Sequence, residues 1–489
     1  MRYVVAAFLA AILIIPIALP ASAQDQIING AGATFPFPLI DTWRVEYKDI
    51  KPEFDLNYQS IGSGGGIKQF TEKTVDFGAT DAPLSKKEEA ALSSPAVHIP
   101  ETIGSVVAAY NVPGVGKGLK LTGPILADIY LGKITRWNDP DIKAINPGVN
   151  LPSRPIAVVH RSDGSGTTFV WTSYLASASP EWAEQVGAGK SVQWPASRGV
   201  RGNEGVSATV KQTPNSMGYI ELSFALTVGM TFADIQNREG KFVTPSLKST
   251  SAAVTAAAEN LPAGDGSWTG ISLLDAPGAG SYPIASFSYL LLYKEMSTSI
   301  NSAASARSLA EFIAWAVGPE GQKYAERLYY VPLPDSVAEL NMETLSSLTY
   351  QGEVILPSDK FSASAEFGGH AYTVAGRSET ARAVSASIND AESVEVAFEG
   401  QGEVELTLPK AMIDGITSIT AGGDEIEFEQ ADAGTATTVR FTVPQDATIE
   451  ITGARVVPEF GALAAVALAA SLGIAALARS RLYSSRAAP

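Results

Sequence analysis

The alternation of short apolar runs with helical stretches between residue 26 and about residue 345 most strongly constrains the fold of this chain. Gln26 to Asn29 has the apolar character of a strand. Leu39, Trp43 and Tyr47 then recur at intervals of four residues, which places them on one face of a helix. The same succession recurs along this part of the sequence, and alternating strands and helices predict an α/β architecture.

The sequence changes character between about residue 350 and residue 455, where the helical periodicity fades. Four segments alternate apolar and polar residues, namely 394–398, 404–408, 438–443 and 448–451. A period of two is typical of half-buried antiparallel strands. We therefore expect a small all-β module over residues 350–455, such as a sandwich, that serves as a stalk or spacer.

The N-terminus resembles a targeting segment. Arg2 precedes the apolar run Val4 to Leu19, and Ala21-Ser22-Ala23 follows as a cleavage site. This order predicts a signal peptide over residues 1–23 that is removed on export. An uncleaved N-terminal anchor is the alternative.

Residues 458–489 form a second membrane-directed segment. A PEFG motif is followed by the apolar run Ala462 to Ala478 and by Arg479, Arg481 and Arg486. The run is near the lower length limit for a transmembrane helix, and the arginines would stay on the cytoplasmic side. The three parts resemble the PEFG-type surface-sorting signals of archaea, in which the tail is cut and the protein is attached to a lipid. A retained transmembrane anchor is the alternative, and both place the protein on the outer face of the cytoplasmic membrane.

Composition excludes several classes of function. The 489 residues are too many for one ordinary core, so two or more domains are expected. A net charge of −16 should repel nucleic acid, and with no cysteine there is no disulfide or thiolate metal site. His98, His160 and His370 are far apart and form no clustered ligand motif, so we expect no metal and no cofactor. Because the overall field also repels anions, an anion site here must depend on local hydrogen bonds.

Two glycine-rich segments offer such hydrogen bonds. In the segment 30–36, the Thr34 hydroxyl and the Phe35 N–H are candidate donors. The alternative is an ordinary turn between a strand and a helix, which is the more common role of such a stretch. In the segment 62–66, backbone N–H groups ahead of a helix and the Ser63 hydroxyl can hold an anion. A flexible linker is the alternative for this second segment.

A third segment ends at Asp81. A carboxylate accepts hydrogen bonds and cannot donate them, so Asp81 beside an anion would favour one that carries a proton, such as hydrogen phosphate, over sulfate. The alternative is a helix N-cap ahead of Pro83-Leu84-Ser85, and capping preference alone favours it.

The fourth segment is His160 to Thr167. Arg161 offers a planar, charged fork that suits phosphate, and Asp163 is placed to orient it. Ser165, Gly166 and Thr167 would stand at a helix start, where free N–H groups favour an anion. The four segments together supply many donors, one cation and one acceptor.

With these segments, the sequence resembles the periplasmic phosphate-binding proteins of the high-affinity phosphate ABC transporter. The strings that carry the resemblance are GAGATFP at 30–36, YQSIGSGGGIKQF at 58–70, TVDFGATDAPLS at 74–85, DIYLGKITRWNDP at 128–140, IAVVHRSDGSGTTFVWTSYL at 156–175 and YVPLPDSV at 330–337. They cover about two-thirds of the chain in order. The all-β module and the tail lie outside the resemblance.

The resemblance implies a two-lobed, periplasmic-binding-protein-like α/β fold that closes on its ligand about a hinge. One lobe would hold residues 24–106 and 285–345, and the other residues 107–284. The implied phosphate ligands are Thr34, Phe35, Ser63, Asp81, Arg161, Ser165, Gly166 and Thr167, with Asp163 as the partner of Arg161. Gly64 and Thr80 stand where serine is frequent in the family, a departure that bears on affinity rather than on ligand class.

The implied function is capture of hydrogen phosphate outside the cell by a monomer that delivers it to the permease subunits of a phosphate ABC transporter. Three alternatives stay open. The first is a binding protein for another oxyanion such as arsenate, the second is a phosphate-handling surface enzyme with Ser165 as nucleophile, and the third is a structural surface protein whose site has lapsed. The enzyme alternative lacks support because a serine nucleophile needs a positioned base. His160 lies five positions before Ser165, on a strand that should direct its side chain elsewhere.

Overall fold

The computed structural model describes residues 26–195, 197–255, 261–356, 360–367, 370–378, 380–389 and 393–456. The predicted signal peptide, 1–23, and the predicted sorting or transmembrane segment, 458–489, lie outside the described residues. Within the described ranges, no helix is both long and apolar enough to cross a membrane. The chain divides into two compact units, of which the first ends at Leu356.

The first unit is built from fourteen strands and thirteen α-helices within its described residues. The strands are β1 Gln26–Gly32, β2 Phe54–Ser60, β3 Phe77–Thr80, β4 Ala96–Asn111, β5 Lys120–Leu121, β6 Ala157–Arg161, β7 Arg198–Val200, β8 Ser216–Glu221, β9 Thr231–Phe232, β10 Asp234–Gln236, β11 Phe242–Val243, β12 Ala285–Tyr293, β13 Thr349–Tyr350 and β14 Glu353–Val354. The helices are α1 Phe37–Ile50, α2 Ser63–Thr71, α3 Lys86–Glu89, α4 Gly123–Tyr130, α5 Pro140–Ile145, α6 Gly166–Ala178, α7 Pro180–Gln185, α8 Gly202–Gln212, α9 Leu222–Thr227, α10 Leu247–Thr255, α11 Ala303–Val317, α12 Pro319–Gln322 and α13 Asp335–Ser346. Two 3-10 turns lie at Met296–Thr298 and Glu326–Leu328.

A mixed sheet organises the first unit, with strand order β2-β1-β3-β12-β4-β8-β6-β7 and β9 beside β4. The long strand β4 joins two parts of this sheet. Its residues 96–105 pair with β12, whereas its residues 106–111 pair with β8. We call β2, β1, β3, β12 and the first part of β4 the first half-sheet, and the second part of β4 with β8, β6 and β7 the second half-sheet. The chain thus enters the second half-sheet along β4 and returns at β12.

Helix α1 shows how the predicted periodicity becomes packing. Trp43 and Tyr47 lie on its buried face with Leu39, as the four-residue spacing predicted. The indole N–H of Trp43 donates to the carbonyl oxygen of Gly321 at 2.8 Å, so the buried ring keeps its polar atom satisfied. Burying each such side chain contributes about 1.5–3 kcal/mol.

The first glycine-rich segment is only partly a turn between a strand and a helix, because Gly30 to Gly32 belong to strand β1. The strand lies between β2 and β3 and pairs in parallel with both. A Cβ atom on Gly30 would stand 2.1 Å from the Phe77 ring, and one on Gly32 would stand 2.1 Å from the carbonyl oxygen of Ala79. The glycines therefore allow close approach of β3, and only the residues from Ala33 onward leave the sheet.

The second unit is the all-β module that the sequence predicted. Its strands are β15 Lys360–Phe367, β16 His370–Arg377, β17 Ala381–Asn389, β18 Ser393–Gly400, β19 Gly402–Pro409, β20 Ile413–Ala421, β21 Asp424–Glu425, β22 Phe428–Asp432, β23 Ala436–Val443 and β24 Thr448–Val456. They form two five-stranded sheets, β15-β16-β19-β23-β22 and β17-β18-β24-β20-β21, which share one apolar core. The four alternating segments lie in β18, β19, β23 and β24. Their apolar residues are buried in that core on one face of each strand, as a period of two predicts.

The residues from 350 to 356 belong to the first unit rather than to this module. The Glu295 carboxylate accepts hydrogen bonds from the Thr349 hydroxyl at 2.8 Å and from the Gln351 N–H at 2.7 Å. Leu348 and Ile355 are buried in the core of the first unit. These contacts attach the hairpin β13–β14 to the first unit.

Candidate anion-binding site

The four segments that the sequence singled out meet at the junction of the two half-sheets. Thr34 and Phe35 follow β1, Ser63 is the first residue of α2, and Asp81 follows β3. Arg161 ends β6, and the start of α6 comes shortly after it. In α/β sheets, ligands commonly bind at the carboxyl ends of strands, and β1, β3 and β6 all end here. All of the side chains are buried: Thr34, Phe35, Ser63, Asp81, Arg161, Ser165 and Thr167 are each at most 2% exposed.

Ser63 connects three of the segments. Its hydroxyl oxygen accepts the N–H of Asp81 at 3.2 Å and the N–H of Gly166 at 3.0 Å. The next residue, Gly64, donates its N–H to the carbonyl oxygen of Gly164 at 2.8 Å. A Cβ atom on Gly64 would stand 2.9 Å from the Cα of Gly164, so the missing side chain allows the two backbones to touch.

Arg161 is held by the acid that was predicted to orient it. Its Nε donates to Asp163 Oδ1 at 2.8 Å, and its Nη2 lies 2.5 Å from Asp163 Oδ2. The third nitrogen, Nη1, is 3.4 Å from the Thr167 hydroxyl oxygen. A two-point link of this kind fixes the plane of the guanidinium and leaves one edge facing the site.

The two carboxyl groups of the site have opposite electrostatic environments. Burial opposes ionisation of Asp163, but the hydrogen bonds and the charge of Arg161 outweigh it and lower the pKa of this carboxyl. Burial raises the pKa of Asp81 to about 7, although Arg161, Ser288 and Thr167 each act to lower it. Asp163 therefore balances the charge of Arg161, while Asp81 can hold or release a proton near neutral pH.

The start of α6 contacts Asp81 through Thr167. The Thr167 hydroxyl donates to Asp81 Oδ2 at 3.3 Å. The Ser165 hydroxyl oxygen caps the helix by accepting the N–H of Thr168 at 3.0 Å. The N-terminal N–H groups of a helix carry partial positive charge, which favours an anion at this end.

Asp81 does not cap the following helix, so that alternative reading of its role is wrong. The N-cap of α3 is Ser85, whose hydroxyl accepts the N–H of Glu88 while the Glu88 carboxylate accepts the N–H of Ser85 at 2.8 Å. This reciprocal pair satisfies the helix start four residues beyond Asp81. The ammonium group of Lys190 also reaches this turn, at 2.7 Å from Glu88 Oε2 and 3.3 Å from the carbonyl oxygen of Pro83.

Sequence reasoning missed Asn203, which lies at the start of α8. Its Nδ2 donates to the Thr34 hydroxyl oxygen at 2.8 Å and lies 3.3 Å from that of Thr167. Its Oδ1 accepts the N–H of Glu221 at 3.1 Å. The preceding Gly202 has φ of 73°, a conformation that favours glycine, and its N–H donates to Asp163 Oδ1 at 3.1 Å. The available signal was a glycine followed by a polar residue at the start of a helix.

His160 and Ser165 do not form a nucleophile–base pair. His160 Nδ1 lies 3.2 Å from the carbonyl oxygen of Arg161, and its ring packs 4.9 Å from the Trp194 ring. Burial lowers the pKa of His160 to about 4. In the described part of the chain, no group of three or more acidic, histidine or cysteine side chains is arranged to hold a metal ion.

The fold and the site together define a solute-binding protein, and residues 19–320 match the PBP superfamily domain. The phosphate-binding protein PstS of Pasteurella multocida is 43% identical over 334 residues, which cover 68% of this chain and 93% of that protein. The phosphate-binding protein PstS of Methanocaldococcus jannaschii is 41% identical over 337 residues, covering 66% of this chain and 86% of that protein. The chain belongs to the PBP superfamily and, within it, to the family of the phosphate-binding proteins PstS.

A solved structure supports the same fold. The phosphate-binding protein from Stenotrophomonas maltophilia superposes with a TM-score of 0.52 and 20% sequence identity, over 66% of this chain and 99% of that one. The first unit thus has a mixed α/β, periplasmic-binding-protein-like fold, as the resemblance implied.

Proposed function

We propose that this protein binds inorganic phosphate, as hydrogen phosphate, and delivers it to the permease of a phosphate ABC transporter. The observation that carries the proposal is the buried meeting of one guanidinium, one helix N-terminus and one carboxyl group at the junction of the half-sheets. The relatives that share about two-thirds of the chain are named as phosphate-binding proteins.

In this proposal each side of the junction supplies part of the phosphate shell. Thr34, Phe35 and Ser63 would donate from the first half-sheet, while Arg161, Ser165, Gly166 and Thr167 would donate from the second. Asp81 would accept the hydroxyl proton of the ligand. The bonds of Ser63 to the Gly166 N–H and of Thr167 to Asp81 link these groups directly, and the ligand oxygens would take their place. Each hydrogen bond to the charged ligand contributes about 1.5–3 kcal/mol, so a few are sufficient for tight binding.

The same arrangement favours hinge closure. We place one lobe at residues 24–106 with 285–345 and the other at 107–284, joined by β4 and by the return to β12. Lys190 would secure the closed form through its contact with Glu88, because this ion pair links the α7–β7 connection to α3. Both side chains are largely buried, at 15% and 27% exposed, so the pair is less screened by water than a surface pair.

Two other functions are less well supported. Arsenate has the shape and the proton of phosphate and would satisfy the same groups, so it is the remaining oxyanion. An esterase or phosphatase is disfavoured, because the Ser165 hydroxyl oxygen caps α6 and its nearest histidine in sequence, His160, is directed to a backbone carbonyl. We therefore propose a binding protein and not an enzyme.

Residues 1–23 and 458–489 would place this binding function outside the cell. We propose export through the N-terminal segment and attachment at the outer face of the membrane through the C-terminal one, either as a transmembrane anchor or after transfer to a lipid. The all-β unit would then be a stalk between the binding unit and the membrane, and the protein would act as a monomer.

Thermal unfolding of the full chain, freed of bound ligand, tests this function. Free phosphate at about 1,000 times its Kd should stabilise the first unit by about 4 kcal/mol and raise its Tm, whereas equal sulfate should not. Arg161→Ala, which should bind phosphate about 100-fold or more weakly, should gain at most about 1.4 kcal/mol at the same phosphate concentration. A folded wild-type protein whose Tm does not change on addition of phosphate would contradict the proposal. Release of phosphate from a model ester would favour an enzyme instead.

A further inference from the structure

A second buried acid lies directly behind Asp81. The Ser288 hydroxyl oxygen is 3.1 Å from Asp81 Oδ1 and 3.0 Å from Glu101 Oε1. Glu101 and Ser288 are both fully buried, and Asp81 is 2% exposed. A single hydroxyl group thus stands between two carboxyl groups that are shielded from water.

A β-bulge produces this contact. In the pairing of β4 with β12, Thr102 faces Ser288 and Pro100 faces Tyr289, so Glu101 is the extra residue. Bulges redirect a side chain without breaking the sheet. The irregularity therefore turns Glu101 toward Ser288 within the buried part of the strand.

The hydrogen-bond directions require one of the two acids to carry a proton. Ser288 has one hydroxyl proton and can donate to only one carboxylate, so the other carboxyl group must donate to Ser288. Asp81 also accepts from Thr167 and lies in the field of Arg161, which favours its charged form. Glu101 Oε2 is buried with no hydrogen-bond partner in the described part of the chain, which favours the neutral form. Geometry thus assigns the proton to Glu101.

The surrounding charges support this assignment. The titratable groups that act on the pair are Arg161 from β6, Glu221 at the end of β8, Tyr58 from β2 and Tyr330. Arg161 is the one cation among them, and Asp163 already balances it. Burial raises the pKa of both carboxyl groups, but Arg161 and Thr167 act to lower only that of Asp81, which favours ionisation of Asp81 before Glu101.

We propose that Glu101 is a positioning residue for ligand selection: it keeps its proton, donates it to Ser288, and so makes Ser288 donate to Asp81. Asp81 is then left as the ionised acceptor for the hydroxyl group of the ligand. This inference rests on the proposed phosphate function and adds to it the group that sets the protonation state of Asp81.

The proposal predicts how binding responds to pH. When Glu101 loses its proton, Ser288 turns to it, Asp81 loses a donor, and a second negative charge lies behind the ligand. Phosphate binding should therefore weaken as the pH rises above about 8, by up to tenfold per pH unit for one linked proton. Glu101→Gln cannot ionise, and its amide can still donate to Ser288.

The test is the phosphate Kd of the full chain at pH 7.5 and pH 9.5, for the wild type, for Glu101→Gln and for the exposed control Glu53→Gln. We expect the wild type and the control to weaken by about tenfold or more between the two values, since one proton is linked to binding. Glu101→Gln should bind within about threefold of the wild type at pH 7.5 and change by less than about threefold at pH 9.5. A Glu101→Gln profile that falls like that of the wild type overturns the inference.

A second measurement on the wild type keeps the test independent of whether the variant folds. Calorimetry in two buffers of different ionisation enthalpy counts the protons taken up with phosphate at pH 9. Uptake of a substantial fraction of one proton supports the inference, because the bound dianion holds the Glu101 proton more tightly, and no uptake contradicts it. A wild type that binds no phosphate at either pH instead rejects the proposed function, so the two failures are distinguishable.

Discussion

Replacing Asp81 by asparagine tests how the site distinguishes phosphate from sulfate. Ser288 donates to Asp81 Oδ1, so the carbonyl oxygen of the new amide should occupy that position. The amide nitrogen then takes the place of Oδ2, which now accepts from Thr167 at 3.3 Å. Asp81→Asn would therefore present a hydrogen-bond donor to the ligand at the position where the wild type presents an acceptor.

The size of the effect follows from the bonds that change. Hydrogen phosphate loses a hydrogen bond to a charged group, which costs about 1.5–3 kcal/mol, and sulfate gains a bond of similar strength. The preference for phosphate should thus shrink by about 3–6 kcal/mol, or about 10²- to 10⁴-fold.

Competition dialysis with labelled phosphate against sulfate at neutral pH measures this ratio directly. Asp76→Asn is the matched control, because Asp76 is half-buried and lies outside the site. Among the described hydrogen bonds, its carboxylate accepts only the Asn29 N–H, at 2.7 Å. A folded Asp81→Asn protein with the phosphate-to-sulfate ratio of the wild type would refute the role given to the carboxylate.

Three further variants probe the neighbouring groups. Arg161→Ala should weaken phosphate binding by about 100-fold or more, because it removes charged hydrogen bonds and leaves Asp163 unpaired. Equilibrium dialysis measures the Kd, and a value within tenfold of that of the wild type would contradict the assigned site. Lys190→Ala removes the ion pair with Glu88 and should speed phosphate release about fivefold in stopped-flow experiments, and an unchanged release rate argues against a closing contact. Glu101→Gln should raise the free energy of unfolding, relative to the wild type, by about 4 kcal/mol at pH 8 but hardly at pH 4. The reason is that the pKa of Glu101 rises from 4.5 to about 8 on folding, so the free energy of unfolding of the wild type falls as the pH rises from 4.5 to 8. Urea titrations measure this difference. The same difference between variant and wild type at both pH values would contradict the raised pKa.

Local patterns were sufficient for much of this fold and for part of the site. The face of α1 was predictable because Leu39, Trp43 and Tyr47 repeat within one helix. The link between Arg161 and Asp163 was predictable because only two positions separate them. Strands β18, β19, β23 and β24 of the all-β unit were predictable because their apolar residues alternate and are buried on one face.

The remaining site residues depend on contacts that no short window contains. Asn203 meets Thr34 across 169 positions, and Ser288 meets Glu101 across 187. Polar residues interrupt the apolar pattern of strand β4 between residues 98 and 102. His98 and Thr102 are nevertheless buried and paired with β12, and Glu101 is buried at the bulge. A carboxyl group within a buried strand was the one local sign of Glu101.

The most direct test of the account is calorimetric titration of the full chain, freed of ligand, with phosphate and then with sulfate at neutral pH. The account predicts micromolar or tighter binding of phosphate, about −8 kcal/mol or more favourable, and no heat of binding from sulfate. A folded protein that does not bind phosphate, or that binds sulfate equally well, would contradict it.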